Sequence, residues 1–223
     1  MIEDRADRAL FSATGAALIA SFVLIALAPE DKTLGVVQKI FYMHVPSAWT
    51  ASLAFLVNFV GSLIYLIKRD LRWDRAASSS AEIGVLFGAV AIATGSIWAR
   101  FAWGVWWTWD VRLTATLIMC LTYIGYLLVR SLAEGEKRRV FSGVIGVAAF
   151  ANVPLVFLTI RWWRSLHPVV VTRGGISLDP MMKLAFFASL GAMTLFYICL
   201  LRVRVKAEEL EERIRASRGG QGA

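Results

Sequence analysis

The chain has 223 residues, of which 58% are hydrophobic and only 18% charged, and its net charge is +8. An ordinary soluble domain is about one quarter charged, so a soluble globular fold is disfavoured, as is a disordered chain and, with two cysteines, a disulfide scaffold. The positive balance could signal nucleic acid, but in so apolar a chain it points to Lys and Arg held on the cytoplasmic side of a membrane.

Six stretches are long enough to cross a hydrocarbon core, which takes about 20 helical residues. They cover 9–28, 48–67, 80–98, 113–129, 140–160 and 181–201, and none has a charge at its centre. Helix is the conformation lipid permits, because a lone strand leaves its backbone unpaired. The expectation is an all-α integral membrane protein with six transmembrane helices in residues 1–202. The first span is longer than the apolar region of a signal peptide and no A-x-A site follows it, so it is expected to stay as a helix. Sixteen Lys and Arg fall on the side holding the N-terminus and eight on the other, which predicts both termini in the cytoplasm. Topology thus accounts for the charge, and no nucleic-acid partner is expected; the partner is lipid.

Between the spans, the cytoplasmic segments 68–79 and 130–139 are short, polar and basic and read as plain connectors. Gly84 and Gly88 in the third span could mark a close helix contact. Asn152-Val-Pro154 in the fifth reads as a tolerated kink. Cys120 and Cys199 sit inside spans and read as small packing residues. Residues 203–223 are charged on nearly every turn and read as a solvated extension of the last helix, fraying at Gly219-Gly220.

The outer segments 29–47, 99–112 and 161–180 are different, being longer and aromatic. Eight of the nine tryptophans lie on or near that side, and Trp73 alone lies on the inner side. An interfacial aromatic belt would populate both interfaces, although Trp49, Trp98 and Trp163 could be belt residues. The densest run is Trp103-Gly-Val-Trp106-Trp107-Thr-Trp109-Asp110-Val-Arg112-Leu-Thr114, within a segment spanning 98–114. If it forms a short surface helix, Trp103, Trp106, Trp107 and Asp110 share one face and Trp109 points elsewhere. Adjacent indoles make a stiff apolar shelf suited to a large flat ligand. Asp110 and Arg112, where the shelf ends, could pair, cap a helix or meet polar ligand groups.

The only two histidines, His44 and His167, also fall in outer segments, each near a proline. They could be independent interfacial residues. Two imidazoles are too few for a structural zinc site, but they suffice as axial ligands of a haem iron, whose other positions the porphyrin fills. Lys39, Arg100, Arg112, Arg161, Arg164 and Arg173 are then available for the propionates. No phosphate-binding glycine loop and no nucleophile–base arrangement is present, so the chain does not read as an enzyme.

The tryptophan run and the flanking histidines resemble the WWD signature of haem-handling proteins of cytochrome c maturation. With six spans and one WWD segment between the third and fourth, the chain resembles the CcmC family over nearly its whole length. The resemblance implies haem b held at the outer, periplasmic face of the bacterial inner membrane. Its tryptophan segment would bind the ring and His44 and His167 would be the axial ligands. It also implies delivery to the haem chaperone CcmE, in company with CcmA, CcmB and CcmD. A bis-His cytochrome b electron-transfer subunit is the alternative. Such subunits carry their ligands inside helices, whereas both histidines here are expected in loops.

Overall fold

A computed structural model describes residues 5–162, 171–172, 175–176 and 178–219. The chain forms helices α1 (Arg5–Leu27), α2 (Phe41–Lys68), α3 (Leu71–Trp103), α4 (Val111–Leu132), α5 (Gly135–Ala149), α6 (Asn152–Trp162) and α7 (Pro180–Gly219). A short 3-10 helix, Val36–Ile40, leads into α2, and strands β1 (Val171–Thr172) and β2 (Gly175–Ile176) pair antiparallel between α6 and α7. Six helical segments, with α5 and α6 counted as one, are long and apolar enough to cross a membrane. The protein is therefore an all-α integral membrane protein with six spans, and both described ends lie at one end of the bundle.

The helices begin and end where local chemistry directs. Asp70 caps α3 and Asp110 caps α4, each carboxylate accepting the backbone N–H two residues on at 2.9 Å. Gly104, at φ +75°, ends α3 in the left-handed conformation that glycine adopts without penalty. The fifth span is interrupted at Phe150–Ala151. Pro154 has no N–H, and its ring crowds the carbonyl four residues back, on Phe150. The freed acceptors find other partners: Val153 N–H donates to Phe150 O at 3.0 Å, and Asn152 Nδ2 donates to Ala149 O at 3.1 Å. The expected kink is thus a full break between two helices.

The core is built on α2 and α3, an antiparallel pair joined by only Arg69 and Asp70, with α4, α5 and α7 around it and α1 against α7. Two glycines permit the closest approaches. A Cβ on Gly84 would lie 2.5 Å from the Phe55 ring, which itself stacks on Tyr123 at 3.7 Å. A Cβ on Gly88 would lie 2.7 Å from Cys120 Sγ. The glycine pair therefore does mark a helix contact, with α2 and α4 respectively, and both cysteines are buried.

The charged segments at the termini end depart from expectation. The connector 68–79 is almost entirely helical, since α3 starts at Leu71. The extension of α7 is not simply solvated. Arg130 of α4 is buried and donates to both oxygens of Asp74, at 2.8 Å each, to Glu208 Oε1 at 2.9 Å and to Ser142 Oγ at 3.2 Å. Ser78 Oγ donates to the other Glu208 oxygen at 2.7 Å. Arg75 and Arg139 hold Glu212 at 3.1 and 3.3 Å. Arg204 pairs with Glu82, and Lys206 and Arg202 with Asp7. The tail's acidic residues therefore staple α7 to α3, α4 and α5. A buried carboxylate needs such partners, because leaving it unpaired costs several kcal/mol.

Candidate functional site

At the opposite end of the bundle, where α3 gives way to α4, an apolar cavity of about 350 Å³ lies among α2, α3, α4, α6 and α7. This is at the small end of the ~300–1,000 Å³ of ligand pockets. Of the residues expected to form a site, His44, Trp103, Trp107 and Arg112 line it. Trp106 and Trp109 do not; their side chains are exposed, Trp106 at 59% and Trp109 at 77%. Asp110 does not line it either, and its carboxylate caps α4. His167 lies outside the described residues, as do Trp163, Arg164 and Arg173 and the side chain of Arg161.

The expected short surface helix is absent from residues 104–110. Gly104 terminates one helix and Asp110 starts the next, and five intervening residues are too few to nucleate a helix of their own. The described indole pairs consequently meet edge to face rather than side by side in one flat shelf. Trp98 and Trp103 meet edge to face with ring centres 5.2 Å apart, and Trp107 and Trp109 do so at 5.9 Å. Such T-shaped contacts suit the ring quadrupole, and they turn Trp107 inward while Trp109 points out.

The first outer segment is also corrected. The chain turns at Asp31, whose Oδ1 accepts Thr33 and Leu34 N–H at 2.8 and 2.9 Å, and α2 already starts at Phe41. His44 is therefore inside a helix, not in a loop. Pro46 is accommodated in the second turn of α2, its ring buried. His44 Nδ1 lies 2.9 Å from Ala91 O and 3.3 Å from Thr94 Oγ1, both on α3. A carbonyl can only accept, so Nδ1 carries the proton and, in the neutral ring, Nε2 carries the lone pair.

Other features of the cavity suit a flat apolar group with acidic substituents. Trp107 Nε1 is buried and has no hydrogen-bond partner among the described residues, and Trp107 lines the cavity. A buried orphan donor costs about 1–3 kcal/mol, which a bound acceptor would relieve. Arg112 brings a cation to the same wall. A haem fits this donor set: apolar walls for the ring, an imidazole lone pair for the iron, and an N–H donor and a guanidinium for carboxylates. Of the other cations expected to serve propionates, Lys39 donates to Ala26 O and Arg100 to Gly104 O.

Two lining residues escaped the sequence reading as site residues. Trp49 and Trp98 fit an aromatic belt, yet both face the cavity. Trp49 Nε1 donates to Thr194 Oγ1 at 3.2 Å, which fixes it against α7. On α3 the lining residues Ala91, Gly95 and Trp98 follow i, i+4, i+7 and share a face, but the small residues give no sign of a site in the sequence. Trp49, five residues from His44, is about 140° around α2 from it, so its spacing gives no signal.

Comparison with known proteins decides the family. Residues 2–219 match the family profile described as heme exporter protein C, CcmC. The chain belongs to the heme exporter protein C family. It is 36% identical over 194 residues to the heme exporter protein C of Bradyrhizobium diazoefficiens, covering 86% of this chain and 74% of that one. It is 31% identical over 198 residues to the heme exporter protein C of Paracoccus denitrificans, covering 85% and 80%. The CcmC resemblance seen in the sequence is thereby established over nearly the full described chain, across all six spans.

Proposed function

We propose that this chain binds haem b in the tryptophan-lined cavity and delivers it to a periplasmic haem chaperone, CcmE, for cytochrome c maturation. In this reading haem is cargo. His44 and His167 supply the axial ligands through imidazole nitrogen. Trp103, Trp107 and Trp98 contact the ring, Arg112 and the Trp107 N–H meet propionates, and the apolar walls exclude water. Trp106 and Trp109, with their rings outside the cavity, are placed to meet the acceptor. Asp110 acts through the start of α4, which it caps and from which Arg112 projects. The termini end faces the cytoplasm and the tryptophan end the periplasm, as the excess of Lys and Arg at the termini end supports. CcmA, CcmB and CcmD work beside this subunit, which has no nucleotide-binding motif of its own.

The observation that carries this reading is His44 held at the cavity wall with its Nδ1 engaged, beside the orphaned Trp107 donor. The names of the relatives add to it, since the two bacterial relatives described above are called heme exporter proteins. The test is purification in mild detergent with an absorption spectrum, for the native protein and for H44A and H167A. Each variant is expected to lose haem. Unchanged haem in both would overturn the ligand assignment.

The cytochrome b alternative gains one point, because His44 lies within a helix as the ligands of such subunits do. Incubation of the haem-loaded protein with haem-free CcmE separates the two. Net loss of haem to the chaperone favours delivery, and stable retention through redox cycling favours electron transfer.

A further inference from the structure

We infer that one turn of α3, Ala91–Gly95, is a cradle that sets both the tautomer and the orientation of His44. The inference rests on His44 being a haem ligand, as proposed above, and assigns to Thr94 and Gly95 positioning roles. Three observations converge on this turn. Ala91 O takes the Nδ1 proton at 2.9 Å. Thr94 Oγ1 lies 3.3 Å from the same nitrogen while its hydroxyl donates to Val90 O at 2.7 Å, so its lone pair is turned to the imidazole. Gly95 removes the one obstacle to this approach: a Cβ there would lie 2.8 Å from His44 Cε1 and 3.2 Å from Nδ1.

The physical consequence is specific. His44, Ala91 and Gly95 all line the cavity. With the proton pinned on Nδ1, the coordinating lone pair is on Nε2, the nitrogen farther from the α3 backbone: Gly95's Cβ position is 3.8 Å from Nε2 against 3.2 Å from Nδ1. An acceptor on the outer N–H fixes a ligating histidine's orientation and raises its basicity, and loss of such a partner commonly costs 10–100-fold in metal affinity. Any side chain at position 95 would push the ring along the cavity or rotate it off the Ala91 carbonyl. The backbone carbonyl cannot be mutated away, but glycine can be.

The experiment uses the full chain in detergent and reads haem content, spin state and reduction potential for G95A, with H44A and G125A alongside. A Cβ on Gly125 meets nothing within 4 Å, so G125A reports the effect of a glycine-to-alanine change in a helix. H44A losing haem while G95A shows at least tenfold lower haem occupancy, or a shift of the remaining haem to high spin, with G125A like the native protein, is the expected result. H44A retaining haem would overturn the functional reading instead, and is distinguishable on that ground. H44A losing haem while G95A matches the native spectrum and potential would overturn the cradle. A second measurement does not depend on any change at position 95. The 15N spectrum of histidine-labelled, haem-free H167A contains His44 alone, and it reports the tautomer directly. The Nδ1–H form is expected; the Nε2–H form, or an equal mixture, would overturn the inference.

Discussion

Replacing Arg130 with Met should be among the most damaging single changes outside the cavity. Its guanidinium serves two carboxylates whose side chains are only 4% (Asp74) and 9% (Glu208) exposed. Removing one partner of a buried pair typically costs about 3–5 kcal/mol, because the remaining charge is left without compensation. Here two like charges would remain. Partial relief comes from Arg138, 3.8 Å from Glu208, and Arg139, 3.7 Å from Asp74, which places the expectation near the lower end, about 3 kcal/mol. For a chain of this size about 2–4 °C of midpoint accompanies each kcal/mol, so R130M should unfold roughly 6–12 °C lower in a fluorescence-detected thermal scan in detergent. The companion R213A removes an exposed i,i+4 pair with Glu209, worth at most about 0.5 kcal/mol. The triple variant R130M, D74N, E208Q discharges all three groups and should recover much of the loss. A loss for R130M no larger than that for R213A would refute the reasoning, as would a triple variant no more stable than the single one.

Three further outcomes follow from the same geometry. G84A should lower thermal stability by about 1–3 kcal/mol, the usual cost of overpacking, because the Phe55 ring it would strike is pinned in a stack with Tyr123. G125A should be neutral or gain up to ~1 kcal/mol of helix propensity in the same scan. D110A should lose about 1 kcal/mol in the same scan through the missing cap of α4. W107F keeps an aromatic ring but deletes the buried N–H, and should reduce haem retention roughly five- to tenfold, corresponding to one net hydrogen bond; W109F should stay within about twofold in the same assay.

The spans were legible because a run of about 20 apolar residues has few alternatives to a membrane helix, and the glycine pair was legible because small residues at that spacing invite close packing. What failed has a common cause. Phe41-Tyr-Met-His44-Val-Pro46 reads as a loop because proline discourages helix, yet in the second turn Pro46 forfeits only one backbone bond. The tryptophan run carries a helical spacing, but Gly104 and Asp110 are stronger local signals, one a terminator and the other a cap, and they divide the run before a helix can form. Glu208 and Glu212 look like any solvated charge pattern, because their partners Arg75, Arg130 and Arg139 lie scores of residues away in sequence. Trp49 and Trp98 were ambiguous for the same reason: a belt residue and a cavity wall differ only in what stands opposite them.

The two ends of the bundle are built on different principles, and the difference bears on how the site works. At the termini end, helices α3, α4, α5 and α7 are joined by charged hydrogen bonds whose partners are fixed in direction and distance. At the tryptophan end, α3, α4 and α7 instead stand apart and wall an apolar cavity. Dispersion alone favours collapse of such a space, since its lining forfeits contacts. A set of helices can keep a gap at one end if their separation and rotation are set at the other, and α3, with 33 residues, is about 50 Å of continuous helix linking the two. It carries Asp74 in the staple and Ala91, Gly95 and Trp98 in the cavity wall. The staple thus restrains, through α3, the helix turn that packs against His44, so the charged end and the tryptophan end of the bundle are joined by one continuous element.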